Sequence, residues 1–140
     1  MVQHNNFQVS THLVIGVTGH RNLHDDEIES LQDKTRRFFQ DLQLRYPDLP
    51  LCLLSSLAAG SDQMVTEVAL AMGIKVIAPL PMAKEHYLED FENSKSRETF
   101  LRQCQQVELL TIPLHQGSVL EATKRPGPER DLQYAQAGIF

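Results

Sequence analysis

Gly16, Gly19, His20 and Arg21 stand together in Leu13–Arg21, LVIGVTGHR. There a short apolar run, rich in β-branched residues, breaks into a glycine turn followed at once by a histidine and an arginine. Glycine lets a ligand approach the backbone closely, and arginine offers a fork of donors to phosphate or carboxylate. A second stretch, Leu51–Asp62 (LCLLSSLAAGSD), has the same order: an apolar run, the small residues Ser55, Ser56 and Ala58, then Gly60 and Asp62. A helix starting at Asp62 would present unpaired N–H groups toward the same space. Two strand–loop–helix junctions of this kind build the phosphate-binding rim of an open α/β sheet. In such a rim Gly16, Gly19 and Gly60 would give backbone access, Thr18 or Ser56 would donate hydrogen bonds, and Arg21 would clamp an anion.

Each of these residues also has a plainer role. A G-x-x-G turn after a strand needs small residues whatever the function, and a loop arginine can be solvated or bond a neighbouring carbonyl. His20 can be structural, and Asp62 can be a simple N-cap, which does not exclude a ligand contact. Pro81 ends a third apolar run, and Met82, Lys84, Glu85 and Tyr87 follow it toward the same edge, with Lys84 read as exposed. Glu85, Glu89, Asp90 and Glu92 read as a solvated acidic helix face, and Arg97 and Arg102 as surface or ion-pair residues. No H-E-x-x-H signature occurs and Cys52 and Cys104 lie far apart, so the sequence points to no metal site and no certain cofactor. With neither G-x-S-x-G nor G-x-x-x-x-G-K-[ST] present, no nucleophile is paired with a base and no catalytic residue is assigned.

The elements that must position these residues follow from apolar spacing and its punctuation. Leu13–Val17 predicts a strand. Asp25 and Asp26 open a helix whose stripe is Ile28, Leu31, Thr35, Phe38, Leu42 and Tyr46, stopped by Pro47. Leu51–Leu54 is a second strand, and Ser61 or Asp62 caps a helix with Val65, Val68, Ala69 and Met72 inward and Gly73 as its left-handed end. Lys75–Leu80 is a third strand, Glu85–Phe91 a short helix, Ser94–Gln105 a longer one, and Val107–Ile112 a fourth strand. Pro113–Pro128 is a long irregular connection, and Glu129–Phe140 a last helix with Leu132, Ala135 and Ile139 on one side. Strands alternating with helices predict an α/β fold: an open parallel sheet flanked by helices on both faces. Ligands are then expected at the carboxyl ends of the strands, near a switch in strand order.

The 140 residues make one domain, 11–140, behind a flexible leader, 1–10. A formal charge of −5 argues against a broad face for duplex nucleic acid, which needs clustered lysine and arginine, though not against one local basic pocket. No apolar run approaches the roughly 20 residues of a membrane span, and Met1–Ser10 has no secretory pattern. Buried, reduced thiols at Cys52 and Cys104 fit a cytoplasmic protein.

VIGVTGHRNL followed by LSSLAAGSDQMVTEVALAMGIKVIAPLPMAKEHYLEDF resembles the SLOG superfamily of Rossmann-like nucleotide-binding domains. That group includes the Smf/DprA DNA-processing proteins and the "lonely guy" phosphoribohydrolases. Ser55–Asp62 is similar to the DprA-type S-G-L-A-R-G-I-D signature, and Gly19-His20-Arg21 to its G-[ST]-R. The spacing looks closest to stand-alone bacterial members reading T-G-H-R and L-A-E-G-A-D. The resemblance implies a sensor-type domain for a nucleotide or nucleotide-derived ligand. One alternative it implies is hydrolysis of a nucleoside monophosphate's N-glycosidic bond, with Asp62 or Glu85 as the acid or base. Another is DprA-like binding of single-stranded DNA, although Ala59 stands where those proteins carry an arginine. The lonely-guy P-G-G-x-G-T-x-x-E loop is absent. Family members continue past a helix like Glu129–Phe140 into a further strand and glycine-rich turn. The expectation is therefore a domain shortened at its C-terminus, with an open sheet edge through which a homo-oligomer could form.

Overall fold

Four short apolar runs pair side by side in the structure, a computed structural model that describes residues 11–113. The strands are β1 (Leu13–Gly16), β2 (Leu51–Leu54), β3 (Lys75–Leu80) and β4 (Glu108–Thr111). They are joined by α1 (Asp25–Arg45), α2 (Ser61–Ala71), the short α3 (Lys84–Tyr87) with a 3-10 turn at Leu88–Asp90, and α4 (Ser94–Cys104). The leader, the connection beyond Pro113 and the helix read over Glu129–Phe140 lie outside the described residues.

All three pairings are parallel, and the strand order is β1-β2-β3-β4. Leu13 pairs with Leu51, Leu53 with Val76, and Ala78 with Leu109, which fixes the face of every side chain. Leu51, Leu53 and Val76 pack with Phe39 of α1 and with Val68 and Ala69 of α2, joined by Leu13 and Ile15. Further along the same face, Ala78 and Leu80 pack with Phe100 and Cys104 of α4, with Leu57, Met82, Tyr87 and Phe91 closing over them. The α/β class and the helix-flanked parallel sheet are as the sequence predicts. The sequence predicts helices on both faces, but among the described residues the three crossover helices share one. Right-handed crossovers require this when each strand is added on the same side of the last. The opposite face carries Val14, Lys75 and Glu108, with Val14 56% exposed. Among the described strands the order never reverses, so the crevice expected at a switch in strand order is not what makes a site here.

Three helix ends follow the expected logic. The first turn of α1 holds Asp25, Asp26 and Glu27, which suit the positive end of a helix dipole. Gly73, at φ 70°, supplies the left-handed residue after α2, and its N–H donates to the Leu70 carbonyl at 3.1 Å. Asn93 caps α4 by accepting the Ser96 N–H at 2.7 Å. Two packing expectations fail. The spacing puts Phe38 and Tyr46 inward, but they are 51% and 46% exposed, and Phe39 is the buried ring at 1%. Phe39 completes the three- and four-residue spacing of Ile28, Leu31, Thr35 and Leu42, and Phe38, one residue earlier, is turned about 100° away from that face.

Candidate functional site

The carboxyl ends of β1 and β2 carry the two loops that the sequence singles out. Val17 prolongs the pairing, its N–H donating to the Leu54 carbonyl at 3.1 Å, before the chain turns out through Thr18, Gly19, His20 and Arg21, all exposed. The two loops are clasped together. The Ser61 N–H donates to the His20 carbonyl at 2.9 Å. A Cβ at Gly19 would sit 2.5 Å from the Ser61 Oγ, and one at Gly60 would overlap the His20 and Arg21 carbonyl oxygens. Gly60 also has φ 85°, so both space and conformation demand glycine. Gly16 differs: it is the last residue of β1, and a Cβ there would meet nothing within 4 Å. It is not part of the turn.

The loop after β2 is built from the inside. Ser55 is 1% exposed; its Oγ accepts from the Thr66 hydroxyl at 2.8 Å and from the Leu57 N–H at 3.2 Å. Leu57 is held at φ 57°, a left-handed conformation that costs a leucine free energy and persists only where its surroundings impose it. Its fully buried side chain, in the core with Met82 and Tyr87, is what imposes it. The Ser56 hydroxyl donates to the Pro79 carbonyl at 3.0 Å, so it stitches the loop to β3 instead of facing a ligand. Pro81 is fully buried. Ser55, Ser56 and Pro81 therefore support the rim from beneath.

Asp62 is not the cap of α2. The N-cap is Gly60, without a side-chain cap bond, and two early N–H groups of the helix, Ser61 and Gln63, donate to the carbonyls of His20 and Ala58. The helix start thus clasps protein where it was expected to offer open donors. Asp62 lies inside the first turn, 8% exposed, with its carboxyl bonded to the Ala58 backbone. Burial pushes its pKa up to about 6 from an ordinary 3.8, against the opposing pull of the Ala58 bond and the Arg21 charge.

A further carboxyl joins the site that was read as solvated surface. Asp90, in the 3-10 turn, is half-buried, and burial pushes its pKa up to about 6 while Arg21 pulls it down. Tyr87 beside it is 2% exposed, edge-on to Phe91 and Phe100 at 5.2 and 5.4 Å. Burial, and then the Asp62 charge, raise its phenol well above the usual range. Arg21 therefore acts electrostatically on Asp62, Tyr87 and Asp90 together. A local signal marks Asp90: Tyr87, Asp90 and Phe91 are spaced to share a helical face with apolar neighbours. Glu85, the other candidate acid, is exposed.

Two clefts open at this point. The smaller, about 140 Å³, is walled by Arg21, Asn22, Ala58, Tyr87, Asp90 and Asn93. The larger, about 390 Å³, runs over α2 between α1 and α4 past Ile28, Gly60, Met64 and Lys95. Arg21, Ala59, Asn93 and Ser96 border both, which makes them one bipartite depression with Arg21 on the shared border. Among the described residues no group of three or more His, Cys, Asp and Glu could hold a metal ion. His20 and His24 are four apart, but both precede the first residue of α1 and share no helical face. Cys52 and Cys104 are free and buried. No helix among the described residues is long and apolar enough to cross a membrane. No family model matches the chain, and no curated protein matches it either.

Proposed function

We propose that this chain is a binding domain of the SLOG type, taking a nucleotide or nucleotide-derived ligand at the carboxyl edge of the sheet. The observation that carries the reading is the clasp between the two loops. Gly19, Gly60 and the Ser61–His20 bond hold Arg21 at the shared border of two clefts, next to carboxyls that are not fully solvated. Arg21 would bind the ligand's phosphate, with Thr18, Gly19 and His20 close by on exposed backbone. Isothermal titration with AMP, NAD and ADP-ribose tests this. The expected result is a saturable heat with at least one of them, weakened tenfold or more in Arg21→Ala, about 1.4 kcal/mol. Absence of heat with every one of them, from a folded protein, overturns the reading.

The Asp62 carboxyl supports a second reading, cleavage of a nucleoside monophosphate's N-glycosidic bond. A carboxyl that titrates at about 6 exchanges its proton near neutral pH, as a general acid or base must. Release of free base from AMP that disappears in Asp62→Asn supports this reading; an unchanged rate in that variant removes it.

A further inference from the structure

We propose that the open face of the sheet is a docking surface for the chain's own residues 129–140, which lay the apolar stripe of Leu132, Ala135 and Ile139 across Leu54 and Ile77.

The open face is apolar where the strands run side by side. Register and alternation turn Val14 of β1, Cys52 and Leu54 of β2, Ile77 and Pro79 of β3 and Leu110 of β4 away from the described helices. None of these six belongs to either core cluster. Val14 is exposed, and Leu54, Ile77 and Leu110 are half-buried. Charge enters this face at its amino-terminal end, where Lys75 and Glu108 pair at 3.4 Å. Parallel sheets carry apolar residues on both faces because both are covered. Yet α1, α2, α3 and α4 all contribute to the clusters on the other side, through Phe39, Val68, Tyr87 and Phe100.

Size selects the occupant. Strands of 4 to 6 residues, spaced about 4.8 Å apart and rising about 3.3 Å per residue, make a face of roughly 300 Å². A stable dimer buries about 800 Å² on each partner, so this face alone is too small to hold a second copy. A tethered segment needs far less contact, because its effective concentration is in the millimolar range. A helix over residues 129–140 would run about 18 Å, close to the roughly 20 Å of the 6-residue β3.

Pattern and reach point to the same segment. Leu132, Ala135 and Ile139 are three and four residues apart, the spacing of one helical stripe, with Arg130, Asp131, Gln133 and Gln136 between and before them. The leader, 1–10, has Val2, Phe7 and Val9 without that spacing. The Ile112 N–H donates to the Leu80 carbonyl at 2.9 Å, so the chain leaves β4 at the carboxyl edge of the sheet. On the covered face, residues 17–24 and 55–60 suffice to lead from strand to helix. Pro113–Pro128 is longer than either and spans up to about 50 Å when extended. A return to the covered face needs no such length; passage to the open face does.

The test is hydrogen exchange on the full chain, followed by mass spectrometry, in the wild type, Ile77→Asp and the control Phe38→Asp, whose site is exposed on α1. The expected result is tenfold or greater protection of residues 129–140 in the wild type, lost in Ile77→Asp and kept in Phe38→Asp. A reciprocal variant, Leu132→Asp with Ile139→Asp, leaves the described fold untouched and guards against unfolding by Ile77→Asp. In it, carbene footprinting should label Leu54 and Ile77 threefold or more above the wild type, with Phe38 unchanged. Exchange of residues 129–140 at the rate of an unstructured peptide in the wild type overturns the proposal. So does protection that survives in a folded Ile77→Asp, or an unchanged footprint in the reciprocal variant. A dimer on size exclusion whose dissociation exposes Leu54 and Ile77 assigns the face to a second copy and overturns it as well.

Discussion

Asp62 stores a free-energy cost that depends on pH, and the direction can be worked out from its surroundings. Its folded pKa of about 6 exceeds the ordinary 3.8, so between those values the native state binds more protons than the unfolded chain. Stability from this group therefore falls as pH rises from about 4 to about 6, by roughly 3 kcal/mol for a shift of about two units. Asp62→Asn keeps an oxygen for the Ala58 N–H and removes the charge. It should stabilise the protein at pH 7.5 by about 1–3 kcal/mol and make little difference at pH 4, as read by thermal denaturation at both pH values. A residue that costs stability where it stands is characteristic of a binding or reacting group. Gly60 and Gly16 differ in a measurable way. Gly60→Ala meets the backbone oxygens of His20 and Arg21 at a positive φ, and should cost more than about 1 kcal/mol in chemical denaturation. Gly16→Ala meets open space and should stay within about 0.5 kcal/mol.

Between α2, its loop and α4 runs a ladder of buried polar side chains. Thr66 donates to Ser55 at 2.8 Å, and the Gln63 amide donates to the Ser96 carbonyl at 2.9 Å and the Leu57 carbonyl at 3.3 Å. Gln103 donates to the Gln63 carbonyl at 2.9 Å and to Glu67 at 3.0 Å. Gln63 thereby ties the strained loop to the first turn of α4, two walls of the cleft. Thr66→Val keeps the shape and removes the hydroxyl; it should cost about 1–3 kcal/mol in denaturant melts, with the loop after β2 loosened. This ladder was not legible in the sequence, because Gln63, Thr66 and Gln103 look like ordinary polar helix residues until tertiary packing closes over them. The element boundaries were legible, since β2 and β3 end where small residues and proline interrupt apolar runs, and Gly73 marks the end of α2. Arg21 was legible from its place after a glycine turn. The role of Asp62 was not, because a cap and an inward first-turn residue differ by two positions at a helix start. Asp90 was masked by its acidic neighbours Glu89 and Glu92.

At the scale of the molecule, two apolar clusters sit end to end under one layer of helices, one centred on Phe39 and one on Phe100. They carry unequal duties: the Phe100 cluster includes Leu57 and Tyr87 of the cleft walls, whereas the Phe39 cluster lies beneath α1 and α2. Phe39→Ala should cost about 3–5 kcal/mol and Phe38→Ala about 0.5 or less, compared by equilibrium unfolding. The uninterrupted strand order also governs how such a chain can assemble. In sheets whose first strand ends up between two later ones, that strand waits unpaired on one side until distant sequence is made. Here β2 needs only β1, β3 only β2, and β4 only β3, each after a single crossover. As the described chain leaves the ribosome, each new strand finds its neighbour already in place. The clasp between the loops at Gly60 and His20 draws on β1, β2 and α2 and takes no residue from β4.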